Sequence, residues 1–109
     1  MSFPVSVPDE APKFHSCLNE SSTAIQLHWY EIPKHKRNGV ILRYIIFYQE
    51  AAFINTSWKE VQNISGSSTT QIIRNLKMFT KYSFEISAFT RKGGVRSADV
   101  VVSTDEDSK

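Results

Sequence analysis

Short segments in which apolar and polar residues alternate are the most regular feature of the chain. In one of them Ile25, Leu27 and Trp29 fall on one face, and the residues between them are polar. No segment keeps a 3.6-residue apolar period for three helical turns. This pattern predicts an all-β, seven-stranded antiparallel sandwich. The strands are predicted at about 13–18, 25–30, 40–50, 57–62, 70–76, 82–89 and 98–104.

Turn-forming residues mark the boundaries between these strands. The charged stretch 33–39 ends in an Asn-Gly pair, which suits backbone at positive φ. The polar residues 63–68 predict a turn. Residues 91–96 contain a Gly-Gly pair and predict a hairpin loop.

Length and composition indicate one folded domain with short flanks. The chain has 109 residues, of which 40% are hydrophobic and 12% aromatic, enough for a single core. Residues 1–10 are rich in proline and predict a linker. Residues 11–104 form the predicted domain, and 105–109 an acidic tail or a second linker.

The charge balance and the hydropathy exclude two classes of partner. Thirteen Lys and Arg against eleven Asp and Glu give a net charge of +2, too near neutral to indicate nucleic-acid binding. No apolar run approaches the ~20 residues of a membrane span. The first residues do not resemble a signal peptide. If the module is extracellular, we therefore expect it to be part of a longer chain.

Three N-glycosylation sequons begin at Asn19, Asn55 and Asn63. About one match is expected by chance in a chain of this composition. Each lies where the pattern predicts a turn. The three asparagines are therefore candidate glycosylation sites, and they favour an extracellular setting.

Enzyme chemistry is not indicated. His15, His28 and His35 lie on different predicted elements without the spacing of zinc ligands, and no Gly-x-Ser-x-Gly elbow is present. The single cysteine, Cys17, excludes an internal disulfide and is predicted to be a buried, unreactive thiol in the first strand. We expect no catalytic residue, metal or cofactor.

Residues spread along the chain resemble those of the fibronectin type III family. They are Pro12, Trp29, Pro33, Asn38-Gly39-Val40, Tyr44, Leu76, Thr80, Tyr82, Gly94, Ser97 and Thr104. The chain departs from the family at Met78, where many members have proline. It looks like the modules of receptor tyrosine phosphatases and tall cytokine receptors, although Trp-Ser-x-Trp-Ser and Arg-Gly-Asp motifs are absent.

The resemblance implies an immunoglobulin-like sandwich and a set of core residues. Trp29, Tyr44, Leu76 and Tyr82 are expected in the core. Truncating Trp29 would cost about 3–5 kcal/mol of stability. The hydroxyl of Tyr82 is expected to bond to backbone a few residues upstream, as in a tyrosine corner.

Two loops of that fold would share one pole with the N-terminus. Their cations are Lys34, Lys36, Arg37, Arg91, Lys92 and Arg96. Clustered cations favour an acidic partner, either heparan sulfate or an acidic neighbouring domain. Charged loop tips are also common without any partner, and simple solvation is the alternative.

An apolar set is expected on the outer face of one sheet. By alternation Ile45, Phe47 and Phe89 lie opposite the core positions of their strands. Such a patch can be a contact surface. In the alternative interpretation, long side chains such as Arg43 or Lys59 lie along the rings and cover them.

These observations predict a non-catalytic structural and protein-interaction module. Its setting would be the extracellular part of a modular cell-surface receptor or adhesion protein. Its partners would be another protein or neighbouring domains of the same chain. The alternative is an intracellular spacer of a muscle or cytoskeletal filament protein, in which the sequons would be accidental and a free cysteine normal.

Overall fold

Two antiparallel sheets form the fold in the computed structural model, which describes residues 8–52 and 57–104. The strands are β1 Lys13–Ser21, β2 Ala24–Tyr30, β3 Arg43–Glu50, β4 Lys59–Ser65, β5 Thr70–Ile73, β6 Lys81–Phe89, β7 Gly93–Arg96 and β8 Val100–Ser103. One sheet has the order β1-β2-β5. The other has the order β4-β3-β6-β7, and β8 also pairs with β6. The predicted all-β sandwich is therefore confirmed.

A strand that was not predicted, β7, precedes the last predicted strand and gives eight described strands instead of seven. Both β7 and β8 pair with β6, through Ser87 opposite Arg96 and Phe84 opposite Val100. Ser97 bridges the gap between them. Its amide donates to the Ile86 carbonyl at 2.8 Å, and its hydroxyl accepts from the Ile86 amide at 3.0 Å.

The hairpin loop predicted at 91–96 is wrong for most of its length. Gly93–Arg96 is strand β7, and the connection after β6 is a tight turn in which the Thr90 amide donates to the Lys92 carbonyl at 3.1 Å. The glycine pair does not mark a turn. A Cβ on Gly93 would come within 2.6 Å of the Phe89 ring, so any larger residue would have to displace the ring, which packs against this backbone.

The turn predicted at 63–68 is wrong for its first residues, because β4 continues to Ser65. Tyr44 pairs with Ile64 and Ile46 with Val61, so one residue of β3 faces two of β4. This is a β-bulge, and Asn63 within it has φ 64°. Asparagine tolerates that conformation, and the same tolerance makes it a common turn residue.

Other strand boundaries also differ from the prediction. Strand β1 continues to Ser21, and its Asn19 pairs with Ile25 instead of lying in a turn. Strand β3 begins at Arg43, three residues later than predicted, and β5 ends at Ile73.

The core lies between the sheets and surrounds Trp29. Its indole ring, 1% exposed, meets Phe14 and Tyr44 edge-on at centroid distances of 6.5 and 5.3 Å. Leu76 and Tyr82 are buried in the same cluster. Burial raises the pKa of the Tyr44 hydroxyl, since the phenolate would be poorly solvated there.

A hydrogen-bonded corner, residues 74–80, joins β5 to β6. The Lys77 amide donates to the Tyr82 hydroxyl at 2.9 Å, which is the bond expected of a tyrosine corner. Thr104 is 1% exposed and is hydrogen-bonded to the corner. Its hydroxyl donates to the Lys77 carbonyl at 2.6 Å and accepts from the Thr80 amide at 2.9 Å. The corner and Thr104 make up the C-terminal pole.

The opposite end, the N-terminal pole, contains residues 8–10, the loop 31–42 and the turn 90–92. The Asp9 amide donates to the Lys36 carbonyl at 2.8 Å, and Pro8 is buried. Residues 8–10, predicted as part of a linker, are therefore fixed to the sandwich. Residues 1–7 and 105–109 of the predicted linker and tail lie outside the described residues.

Candidate interaction surfaces

The six predicted loop cations do not form one cluster, because two of them have partners within the N-terminal pole. The Lys36 ammonium lies 3.2 Å from the Glu10 carboxylate, and the Arg37 Nε donates to the Ile32 carbonyl at 2.6 Å. Both side chains therefore hold the pole together. Sequence reasoning missed Glu10, because it assigned that residue to a linker.

Arg96 does not belong to the loops at all. It lies on β7, and its guanidinium stacks between Phe47 at 3.8 Å and Trp58 at 4.7 Å. Its Nε is 2.7 Å from a carboxylate oxygen of Glu85. Arg96 therefore belongs to the outer face of the sheet.

Three cations remain at the N-terminal pole, and we call them the pole cations: Lys34, Arg91 and Lys92. All three are exposed, and none forms an ion pair with a residue in the ranges 8–52 and 57–104. Their charge is thus available to an acidic partner.

The predicted apolar patch is covered. Ile45 is only 6% exposed, although it does not belong to the core cluster that contains its neighbours Tyr44 and Ile46, so it is buried on the outer face. The Arg43 guanidinium lies 4.6 Å from the centre of the Phe89 ring, and Arg96 covers Phe47. Arg43 was one of the two predicted covering residues.

Arg43, Phe47, Trp58, Phe89 and Arg96 together form a surface that we call the arginine–aromatic face. A guanidinium stacked on a ring keeps its N–H groups at its edge, where they can donate to a carboxylate. The rings also fix the arginines, so less side-chain entropy is lost when a partner binds. Sequence reasoning missed Trp58 and assigned Arg96 to a loop, because the register of β4 and β7 on the sheet decides the position of both residues.

The sequon residues that the structure describes are on the surface. Asn19 is exposed on β1, and Asn63 is exposed in the bulge of β4 near the N-terminal pole. Asn55 lies outside the described residues.

Cys17 is half-buried, not fully buried as predicted. It packs against the edge of the core and lines an open groove between β1 and β8. Burial raises the pKa of its thiol, because the thiolate would lose hydration. At neutral pH the thiol form is therefore favoured, and its nucleophilic reactivity is low.

Two of the three histidines, His15 and His28, are closer together than the sequence indicated. His15 and His28 lie on the paired strands β1 and β2 with ring centroids 6.0 Å apart, and His15 also contacts Tyr30 at 4.4 Å. Within the described ranges, no group of three or more His, Cys, Asp or Glu side chains could hold a metal ion. That part of the chain also contains no helix long and apolar enough to cross a membrane.

Comparisons with known sequences identify relatives of this domain. The family of fibronectin type III domains matches residues 10–104. Phosphatidylinositol phosphatase PTPRQ of Homo sapiens is 39% identical over 103 residues, which cover 94% of this chain and 4% of that protein. Cell adhesion molecule DSCAML1 of Homo sapiens is 33% identical, with 93% and 5% covered. Receptor-type tyrosine-protein phosphatase F of Danio rerio is 32% identical, with 94% and 5% covered.

Solved structures share the fold. The third fibronectin III domain of the human KIAA0343 protein has a TM-score of 0.82 at 22% identity, covering 100% of this chain and 92% of that one. A fibronectin type III domain of human contactin 1 has a TM-score of 0.78 at 24% identity, covering 95% and 84%. This chain spans only 4–5% of the length of the curated relatives described above.

We expect Arg96→Gln to uncover the arginine–aromatic face. The substitution removes two ring contacts and the ion pair with Glu85, and should lower the free energy of unfolding by about 1 kcal/mol. Acrylamide should then quench Trp58 fluorescence more strongly, while Trp29, at 1% exposure, stays protected. Arg91→Gln is the matched control and should change neither value. Unchanged quenching in Arg96→Gln would show that the arginine does not shield Trp58.

Proposed function

This chain belongs to the fibronectin type III family, and we propose that it is a non-catalytic structural and protein-interaction module in the extracellular part of a modular cell-surface receptor or adhesion protein. The observation that carries the proposal is that the first and last described segments of the domain lie at opposite poles. Backbone hydrogen bonds fix Asp9 at one pole and Thr104 at the opposite pole. In a module built this way the polypeptide enters at one pole and leaves at the other, as a spacer between two neighbouring domains requires.

The relatives support the extracellular setting. They include a receptor-type phosphatase and a cell adhesion molecule. Asn19 and Asn63 are exposed, as glycan acceptors must be. An intracellular spacer of a muscle or cytoskeletal filament protein remains the alternative, since the domain needs no disulfide for its stability.

The arginine–aromatic face is the surface we propose for a protein partner. Its rings supply apolar area, and its two guanidinium groups supply donors for a carboxylate. Aromatic residues and arginine are also the side chains enriched at interface centres. A protein partner that presents an acidic side chain beside an apolar one fits this chemistry.

Heparan sulfate, or an acidic neighbouring domain, is a second candidate partner, at the N-terminal pole. The three pole cations favour it, because they are exposed and lack an ion pair within the described part of the chain. A sulfated glycan would pair with them and displace small counterions, so its binding should weaken with salt.

Peptide mapping by mass spectrometry tests the extracellular assignment. We expect the native protein from a glycosylating cell to carry glycans on Asn19 and Asn55 at the highest occupancy. Asn63 should be occupied less, because a glycan in its bulge would crowd the N-terminal pole. Three unmodified asparagines would instead favour the intracellular spacer.

Heparin chromatography tests the second candidate. Replacing the three pole cations by glutamine should lower the salt concentration at which the domain elutes. A matched triple variant removes the same charge from exposed positions elsewhere and should elute close to the wild type. Its substitutions are Lys59→Gln, Arg74→Gln and Lys81→Gln. Equal shifts in both variants would show that only net charge matters and would contradict a site at the pole.

A further inference from the structure

The corner at the C-terminal pole displays two large apolar side chains to solvent. Met78 is 48% exposed, and Phe79 is 69% exposed. We call this pair the apolar tip. No aromatic or cation contact of the Phe79 ring occurs among the described residues, so the ring contributes little to the stability of the isolated sandwich.

Phe79 is also held in an unfavourable backbone conformation. Its φ is 53°, in the left-handed region that a phenylalanine side chain disfavours and that Gly or Asn adopts readily. The corner therefore carries both local strain and exposed apolar surface. Neither benefits the isolated domain, so their combination points to a contact made outside it.

Hydrogen bonds hold the backbone under the tip on both sides of Phe79. The Thr80 hydroxyl donates to the Met78 carbonyl at 2.8 Å, and the Lys77 amide is held by Tyr82. The Lys77 ammonium also meets the Glu50 carboxylate at 2.9 Å, and that hydrogen bond raises the pKa of Lys77. Because this backbone is already held, a partner that binds the tip needs to order little more than the two side chains.

The place where the domain ends, at Thr104, indicates which partner would contact the apolar tip. The Thr104 amide donates to the Thr80 carbonyl at 2.8 Å, so the polypeptide leaves the domain beside the tip. The chain covers only 4–5% of its relatives, which are therefore many times longer than one such module. A following module would be tethered next to the tip, and its effective concentration there would be high.

The N-terminal pole of this same chain shows what such a module would present. Val40 is 75% exposed and Leu42 is 56% exposed on the loop beside residues 8–10. The pole cations lie at the same end. The sequence after Thr104 begins Asp105-Glu106-Asp107, so the charges at a junction between two such modules would be complementary.

We propose that Met78 and Phe79 dock onto the N-terminal pole of a following fibronectin type III module and thereby fix the angle between the two. This inference rests on the proposed function as a structural module. It adds the surface through which the module would control the shape of an array.

A head-to-tail tandem of two copies of this chain tests the inference. We expect residual dipolar couplings to fit one common alignment for both copies. Phe79→Asn in the first copy should make the two copies align independently. In the single domain the same substitution should raise the melting temperature by about 5 °C, because asparagine tolerates the left-handed conformation. This opposite effect on stability separates lost docking from damage to the fold.

Val95→Thr in the first copy is the matched control, since Val95 is 55% exposed but lies on β7, away from the tip. It should leave the common alignment unchanged. Independent alignment of the wild-type copies would overturn the proposal. So would dimerisation of single domains that Phe79→Asn abolishes, because the tip would then bind a copy in trans. Neither outcome affects the glycan mapping on which the extracellular assignment depends.

Discussion

The hydroxyl of Tyr82 connects the interior of the sandwich to the pole at which the chain leaves it. The ring is buried with the core, and the oxygen accepts the Lys77 amide at 2.9 Å. That bond sets the corner, and the corner in turn holds Thr104 through the Lys77 carbonyl and the Thr80 backbone. The position of Thr104 at the end of β8 and the display of Phe79 both depend on this one contact.

The arginine–aromatic face exists because the core between the sheets cannot bury every apolar side chain. The two sheets enclose one apolar layer around Trp29, so apolar residues on the outer face need another cover. Arg43 and Arg96 provide that cover by stacking on Phe89, Phe47 and Trp58. A cover made of guanidinium groups keeps the face soluble and still leaves donors for a partner. At the N-terminal pole the pairing of Lys36 with Glu10 leaves fewer cations available than the sequence suggested.

Sequence alternation predicted the fold class because strands have a simple period of two, and the family resemblance implied the core residues. It failed where glycine and asparagine had a second use. Gly93 was interpreted as a turn residue, yet it lies in strand β7, where its missing side chain leaves room for the Phe89 ring. Asn63 was also assigned to a turn, yet its positive φ serves a bulge within β4.

The candidate surfaces could be predicted only in part, because they depend on register. No local pattern shows that Arg96 lies between Phe47 on β3 and Trp58, which directly precedes β4. Nor does the sequence show that Phe79 combines exposure with a left-handed backbone. Both facts arise from pairing across long sequence separations, which a single sequence does not specify.

Amide hydrogen exchange in Tyr82→Phe tests most directly whether the corner depends on that hydroxyl. The substitution leaves the core ring in place and removes only the acceptor for Lys77, at a cost of about 1–2 kcal/mol. We expect protection of the Lys77, Thr80 and Thr104 amides to fall about tenfold more than that of the β2 and β3 amides. Tyr30→Phe, at a position 62% exposed, should change neither group. A uniform loss across all strands, or no loss at the corner, would contradict the account.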